Sequence, residues 1–101
     1  MRLTAQQAGV IRRAAVEAFG PDVELRLFGS RADDRQRGGD IDLYVATKEN
    51  DLERLARAEL DFLVQVKSKI GEQKIDLLLD YPSRRHRPPI LDIARATGVP
   101  L

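Results

Sequence analysis

The sequence holds no cysteine. Disulfides, zinc–thiolate sites and cysteine nucleophiles are therefore excluded. It also lacks tryptophan, and aromatic residues make up only 5% of the chain. A nucleic-acid surface built on stacked aromatics has little to draw on. Excess charge of one sign is missing too. Lys plus Arg number 17 against 16 Asp plus Glu, for a formal net charge of +1. That balance is wrong for a domain that coats nucleic acid or an anionic membrane. No apolar run approaches the length of a membrane span. Residues 1–9 lack the continuous apolar core of a signal peptide, so a cytoplasmic location is expected.

What is present describes one small folded domain. The 101 residues fit a single domain over 1–101 with a modest core. The 43% apolar content is ordinary for a globular chain. Thr4 and Gln7 form a capping box ahead of Val10, Ile11, Ala14, Ala15, Ala18 and Phe19, which recur at helical spacing until Gly20-Pro21. Val23, Leu25 and Leu27 alternate with Glu24 and Arg26, as in a strand with one wet face. Residues 31–39 read as a short helical turn and a loop ending in Gly38-Gly39, and 40–46 as a second strand.

Asn50 with Glu53 marks a second capped helix start. Its apolar positions are Leu52, Leu55, Ala56, Leu60, Leu63 and Ile70, and Gly71 ends it. Residues 74–79 form a third strand, 81–88 a Pro- and Arg-rich loop, and Pro89 opens a last helix that Gly98 closes. The order αβ(α)βαβα predicts an α/β (α+β) fold, a small mixed sheet of three or more strands with helices on one face.

The chemistry concentrates in Phe28-Gly29-Ser30 and, after nine intervening residues, Asp40-Ile41-Asp42-Leu43. Asp40 and Asp42, two apart on a strand, project from the same face. Two ionised carboxylates so close require a positive charge between them. A hard cation such as Mg²⁺ suits oxygen donors and keeps waters for a phosphate to displace. Asp76 lies mid-strand in Ile75-Asp76-Leu77 and joins the pair if the third strand lies beside the second. Three carboxylates can hold two ions about 3.5–4 Å apart, the arrangement for in-line phosphoryl displacement. Gly29-Ser30 stands where a strand turns toward a helix, so free amides and the Ser30 hydroxyl can meet a phosphate. Arg31 follows as a phosphate contact or a surface arginine.

Other polar residues have plainer readings. Asp33 and Asp34 cap or solvate a loop, and Asp80 ends its strand in solvent. The run Ser83-Arg84-Arg85-His86-Arg87 could meet a nucleotide tail, RNA or an acidic partner, but a solvated loop is the default. His86 reads as an exposed residue of that loop. Nucleic acid is not an expected partner.

These words resemble the DNA polymerase β-like nucleotidyltransferase superfamily: an apolar residue, Gly, then Gly or Ser, an Asp-apolar-Asp/Glu-apolar strand, and a third carboxylate on a later strand. The size, and the ending Ile93-Ala94-Arg95-Ala96-Thr97-Gly98-Val99-Pro100-Leu101, resemble its minimal members. Two departures fall near the phosphates: Asp33 stands where an arginine is common, and Gly39 where a serine is common. The resemblance implies an enzyme that takes ATP with two Mg²⁺ ions and moves AMP to an acceptor hydroxyl. Asp40, Asp42 and Asp76 would be its catalytic and metal-binding residues, and Gly29, Ser30 and Arg31 would hold the nucleotide.

Minimal members are similar to the antitoxins of toxin–antitoxin pairs whose toxin is a HEPN ribonuclease. In such pairs the antitoxin can adenylylate a toxin tyrosine. The strand alternation places Tyr44, Leu78 and Phe28 beside the carboxylates on a face without a second domain. A HEPN-type toxin or a second copy of the chain is expected to cover that face. Two alternatives stay open: an inactive antitoxin-type module that neutralises its partner by capture alone, and a nucleotidyltransferase for a small molecule such as an antibiotic.

Overall fold

A computed structural model of the chain describes residues 3–29 and 40–101. Among these residues three helices, α1 (Ala5–Phe19), α2 (Leu52–Ile70) and α3 (Pro89–Thr97), accompany four strands, β1 (Glu24–Phe28), β2 (Ile41–Ala46), β3 (Ile75–Asp80) and β4 (Val99–Pro100). Among the described residues the sheet order is β3-β2-β1-β4. β1 is antiparallel to β2 and β4, and β2 is parallel to β3. The sheet is therefore mixed and the fold α+β, as the element order predicts. The expected turn over 31–39 lies outside the described residues, as do Ser30, Arg31, Asp33 and Asp34.

Local chemistry sets the boundaries. Thr4 and Gln7 exchange side-chain-to-backbone hydrogen bonds at 3.0 and 3.1 Å, a complete capping box for α1. Gly20 (φ 102°) and Gly71 (φ 91°) close α1 and α2 with backbone that other residues rarely adopt. The N-cap of α2 is Asp51, not Asn50. Its carboxylate accepts from the amides of Glu53 and Arg54. A carboxylate here also meets the positive end of the helix dipole, where an amide brings no charge. The Asn50 side chain instead accepts from the Ser83 amide at 3.0 Å, tying the loop after β3 to the start of α2.

α1 and α2 pack on one face of the sheet. Leu25 and Leu27 of β1 and Ile41, Leu43 and Val45 of β2 meet Ile11, Ala14, Ala15, Phe62 and Val66 there. Burying a side chain such as Phe62 contributes roughly 1.5–3 kcal/mol, and its ring lies 5.9 Å from that of Phe19. The buried stripe of α2 is Leu55, Phe62 and Val66. Leu52 and Leu60, expected on that stripe, are each 62% exposed. Leu55, Leu63 and Ile70 of the expected stripe do face the core, and Phe62 and Val66 complete it.

The helices are not all on one face as the pattern predicts, because α3 crosses the opposite face. Its Leu91 and Ala94 bury Tyr44, with Phe28, Ala46 and Leu78 packed around them. The sequence places Tyr44 on an open face, yet it is 1% exposed. The helix reaches the sheet because Gly98 allows it. A Cβ there would stand 2.5 Å from the Ala94 carbonyl oxygen and 2.9 Å from Arg26 Cβ. The chain then continues as β4, a two-residue strand too short to show a period-two pattern in the sequence.

Candidate active site

Strand register brings the carboxylates together. Asp42 of β2 is the direct neighbour of Phe28 on β1 and of Asp76 on β3. With Asp42 and Asp76 at matching positions on adjacent parallel strands, both side chains stand on the α3 face of the sheet. Asp40 precedes β2 by one residue, and its carboxylate lies 3.6 Å from the Lys74 ammonium. The expected meeting of Asp76 with the β2 carboxylates is thus present as the pair Asp42–Asp76, with Asp40 alongside.

The pair is electrostatically tense. Burial pushes the Asp42 carboxyl above its ordinary value, and the Asp76 charge, its hydrogen bond to Asp42 and the Asp40 charge push it further. Lys74 offsets part of this. Such a donor set fits a hard divalent cation, which would neutralise like charges that the fold forces together. Among the described residues, no group of three or more His, Cys, Asp or Glu side chains is arranged to hold a metal ion. The fit therefore rests on the two facing carboxylates and their charge.

Gly29 adds a steric requirement. Its φ of 74° lies in the left-handed region, and a Cβ there would collide with the Asp42 carboxylate, with Cγ only 3.2 Å away. The chain turns off β1 directly over Asp42. Glycine at this point leaves its backbone accessible beside the carboxylates. The other residues expected to hold the nucleotide, Ser30 and Arg31, lie outside the described residues.

At the far end of β3, Asp80 departs from its expected role. It is 7% exposed. Tyr44 donates its hydroxyl proton to Asp80 at 2.7 Å, and Arg87 holds it by a forked ion pair with one arm at 3.0 Å. The Arg87 bonds hold the Asp80 carboxyl below its ordinary range despite burial. The tyrosine phenol is pushed up to about 12 by burial and by Asp80. Arg87 also pairs with Asp92 of α3 at 3.5 Å. The cluster ties β3, the following loop and α3 together.

The Arg-rich loop is accordingly only partly solvated. Arg84 donates to the carbonyls of Leu79 and His86 and lies 5.9 Å over Tyr81, whereas Arg85 and His86 are exposed as expected. Sequence reading missed the Asp80–Arg87 pair. The signal available was an acidic residue at a strand end facing an arginine seven positions on, across a Pro-bounded loop.

Residues 10–96 match the family model described as a nucleotidyltransferase domain. No curated protein matches the chain. No helix among the described residues is long and apolar enough to cross a membrane.

Proposed function

This chain belongs to the nucleotidyltransferase domain family, within the polymerase β-like superfamily, and we propose that it transfers AMP from ATP to an acceptor hydroxyl at the Asp42–Asp76 pair. The observation that carries this proposal is the meeting of Asp42, Asp76 and Gly29 at one end of the sheet. Asp42 and Asp76, with Asp40 beside them, would hold two Mg²⁺ ions. Bound there, the ions supply the charge that neutralises the triphosphate and lowers the barrier at the acceptor oxygen. Gly29, with Ser30 and Arg31 next to it in sequence, would hold the triphosphate. The acceptor oxygen attacks the α-phosphorus, pyrophosphate leaves, and the acceptor proton passes to solvent. Asp76 would help hold the ion that activates the acceptor oxygen.

The proposed acceptor is a tyrosine of a HEPN-type toxin, with the chain acting as its antitoxin. A toxin or a second copy would then cover the face around the site. Tyr44, which α3 buries, is not available to that partner. Ile90 and Ile93, 41% and 53% exposed on α3, support it.

Co-expression with the protein encoded beside this one, followed by intact-mass analysis, tests the proposal. The partner should gain whole AMP units with the unaltered chain and none with Asp42→Asn. A tight complex with no mass gain, and equal neutralisation by Asp42→Asn, would make the chain a capture module instead. With no complex and no mass gain, a small-molecule acceptor such as an antibiotic becomes the better account.

A further inference from the structure

The two long edges of α3 differ in chemistry, and the sheet register says where each faces. Glu24 of β1, Ala46 of β2 and Asp80 of β3 stand at one end of the sheet, because Glu24 pairs with Ala46 and Ala46 with Asp80. Phe28, Asp42 and Asp76 stand at the other. α3 runs across the strands between these ends. It leaves the Asp80–Arg87 cluster over β3, and finishes over β1, where Gly98 meets Arg26.

Successive helical residues are about 100° apart around the axis. With Leu91 and Ala94 turned down onto the sheet, Asp92 and Arg95 fall on one edge and Ile90, Ile93 and Thr97 on the other. The polar edge is identified by its partners. Arg95 pairs with Glu24 at 3.8 Å and Asp92 with Arg87 at 3.5 Å, both at the end remote from the carboxylates. The edge bearing Ile90 and Ile93 therefore faces the carboxylate end. Ile90, near the start of the helix, lies on the β3 side, where Leu78 separates Asp76 from Asp80 on the same face.

Resting on the proposed transfer reaction, we infer that Ile90, Ile93 and Leu78 form an apolar shelf for the acceptor, so the site selects a hydroxyl carried on an aromatic or aliphatic group. Three features support this assignment. Leu78 stands next to Asp76 on the same face of β3, and Asp76 is the carboxylate that the proposed reaction assigns to the ion at the acceptor. Its two isoleucines are 41% and 53% exposed, unlike the residues beneath them. The edge has no charged side chain, whereas a polycationic or polyhydroxylated acceptor would need acidic or hydrogen-bonding groups there. The Thr97 hydroxyl donates to the Ile93 carbonyl at 2.7 Å, so it too is engaged within the helix.

Methyl NMR on isoleucine-labelled protein tests the shelf. The probes are N-acetyl-tyrosinamide and glycerol, each added after Mg²⁺ and a non-hydrolysable ATP analogue. The Ile90 and Ile93 methyl signals should move with N-acetyl-tyrosinamide and stay still with glycerol. The double variant Ile90→Ser/Ile93→Ser, which changes only exposed positions, should weaken tyrosinamide binding by about tenfold, the loss of two apolar contacts. Nucleotide affinity should remain within about twofold. Silence of both methyls toward the tyrosinamide would overturn the assignment, as would movement with the nucleotide analogue alone, which would give the shelf to the base. The Gly29 amide signal reports separately on nucleotide binding. If it fails to move with the analogue, the proposed reaction fails, whatever the methyls do.

Discussion

Asp42 carries the sharpest conflict at the scale of single residues. Its charge is disfavoured by burial and by Asp76 and Asp40, so the fold tolerates it at a cost. Asp42→Asn should raise the melting temperature of the metal-free protein by a few degrees, since about 1 kcal/mol corresponds to ~4–8 °C in a domain this small. The same change should lower transfer at least about a hundredfold through the loss of an ion ligand. A thermal melt and an activity assay on one preparation check both halves. Gly29→Ala should remove activity as well, because its Cβ displaces the Asp42 carboxylate. Forcing alanine into the left-handed region should also cost about 1–2 kcal/mol of stability.

Asp80 provides the pH test. Its folded-state value lies below the model-compound 3.8, so its contribution is fully present above that pH and is lost as pH falls through the lower, folded value. Asp80→Asn removes a charge-assisted contact worth about 1.5–3 kcal/mol. The variant should be less stable than the wild type near neutral pH. The gap between the two should close as the pH drops below 3.8. Denaturant melts across that range measure it.

Secondary-structure elements show which features the sequence makes legible. β1, β2 and β3 are legible from their alternation, and α1 and α3 from their helical spacing with local end signals, Thr4 with Gln7 and Gly20 for α1, Pro89 and Gly98 for α3. The register of Asp42 against Asp76 followed from placing β3 beside β2, which the element order suggests but only the pairing establishes. Three features were not local and were missed. The face of α2 depends on which side meets the sheet: Leu55, Leu63 and Ile70 lie on it as expected, but Phe62 and Val66 complete it where Leu52 and Leu60 do not. β4 exists only because β1 offers an edge to pair with. The roof over Tyr44 depends on α3 folding back across the sheet, a path set by Gly98 and the Asp80–Arg87 pair rather than by α3's own pattern. Gly98→Ala should therefore loosen α3 and lower stability by about 1–3 kcal/mol, the usual cost of overpacking. Near-ultraviolet circular dichroism of Tyr44 together with a denaturant melt would register both effects.

On the scale of the whole molecule, the sheet divides labour between its two faces. One face, under α1 and α2, holds the core that gives the domain its stability. The other is shared. α3 covers the end near Asp80, and the other end carries Asp42 and Asp76. Packing both a core and a site onto a four-stranded sheet explains why like charges sit side by side in a domain with little stability to spare. Binding should return that stability, since a ligand held only by the folded state stabilises it by RT ln(1 + [L]/Kd).

The most direct measurement is a calorimetric titration of ATP with Mg²⁺ into the wild-type chain and into Asp42→Asn near neutral pH. The account predicts Mg²⁺-dependent binding to the wild type and at least about tenfold weaker binding to the variant, a loss of 1.4 kcal/mol or more. Equal affinity in the two proteins, with both folded, would contradict it.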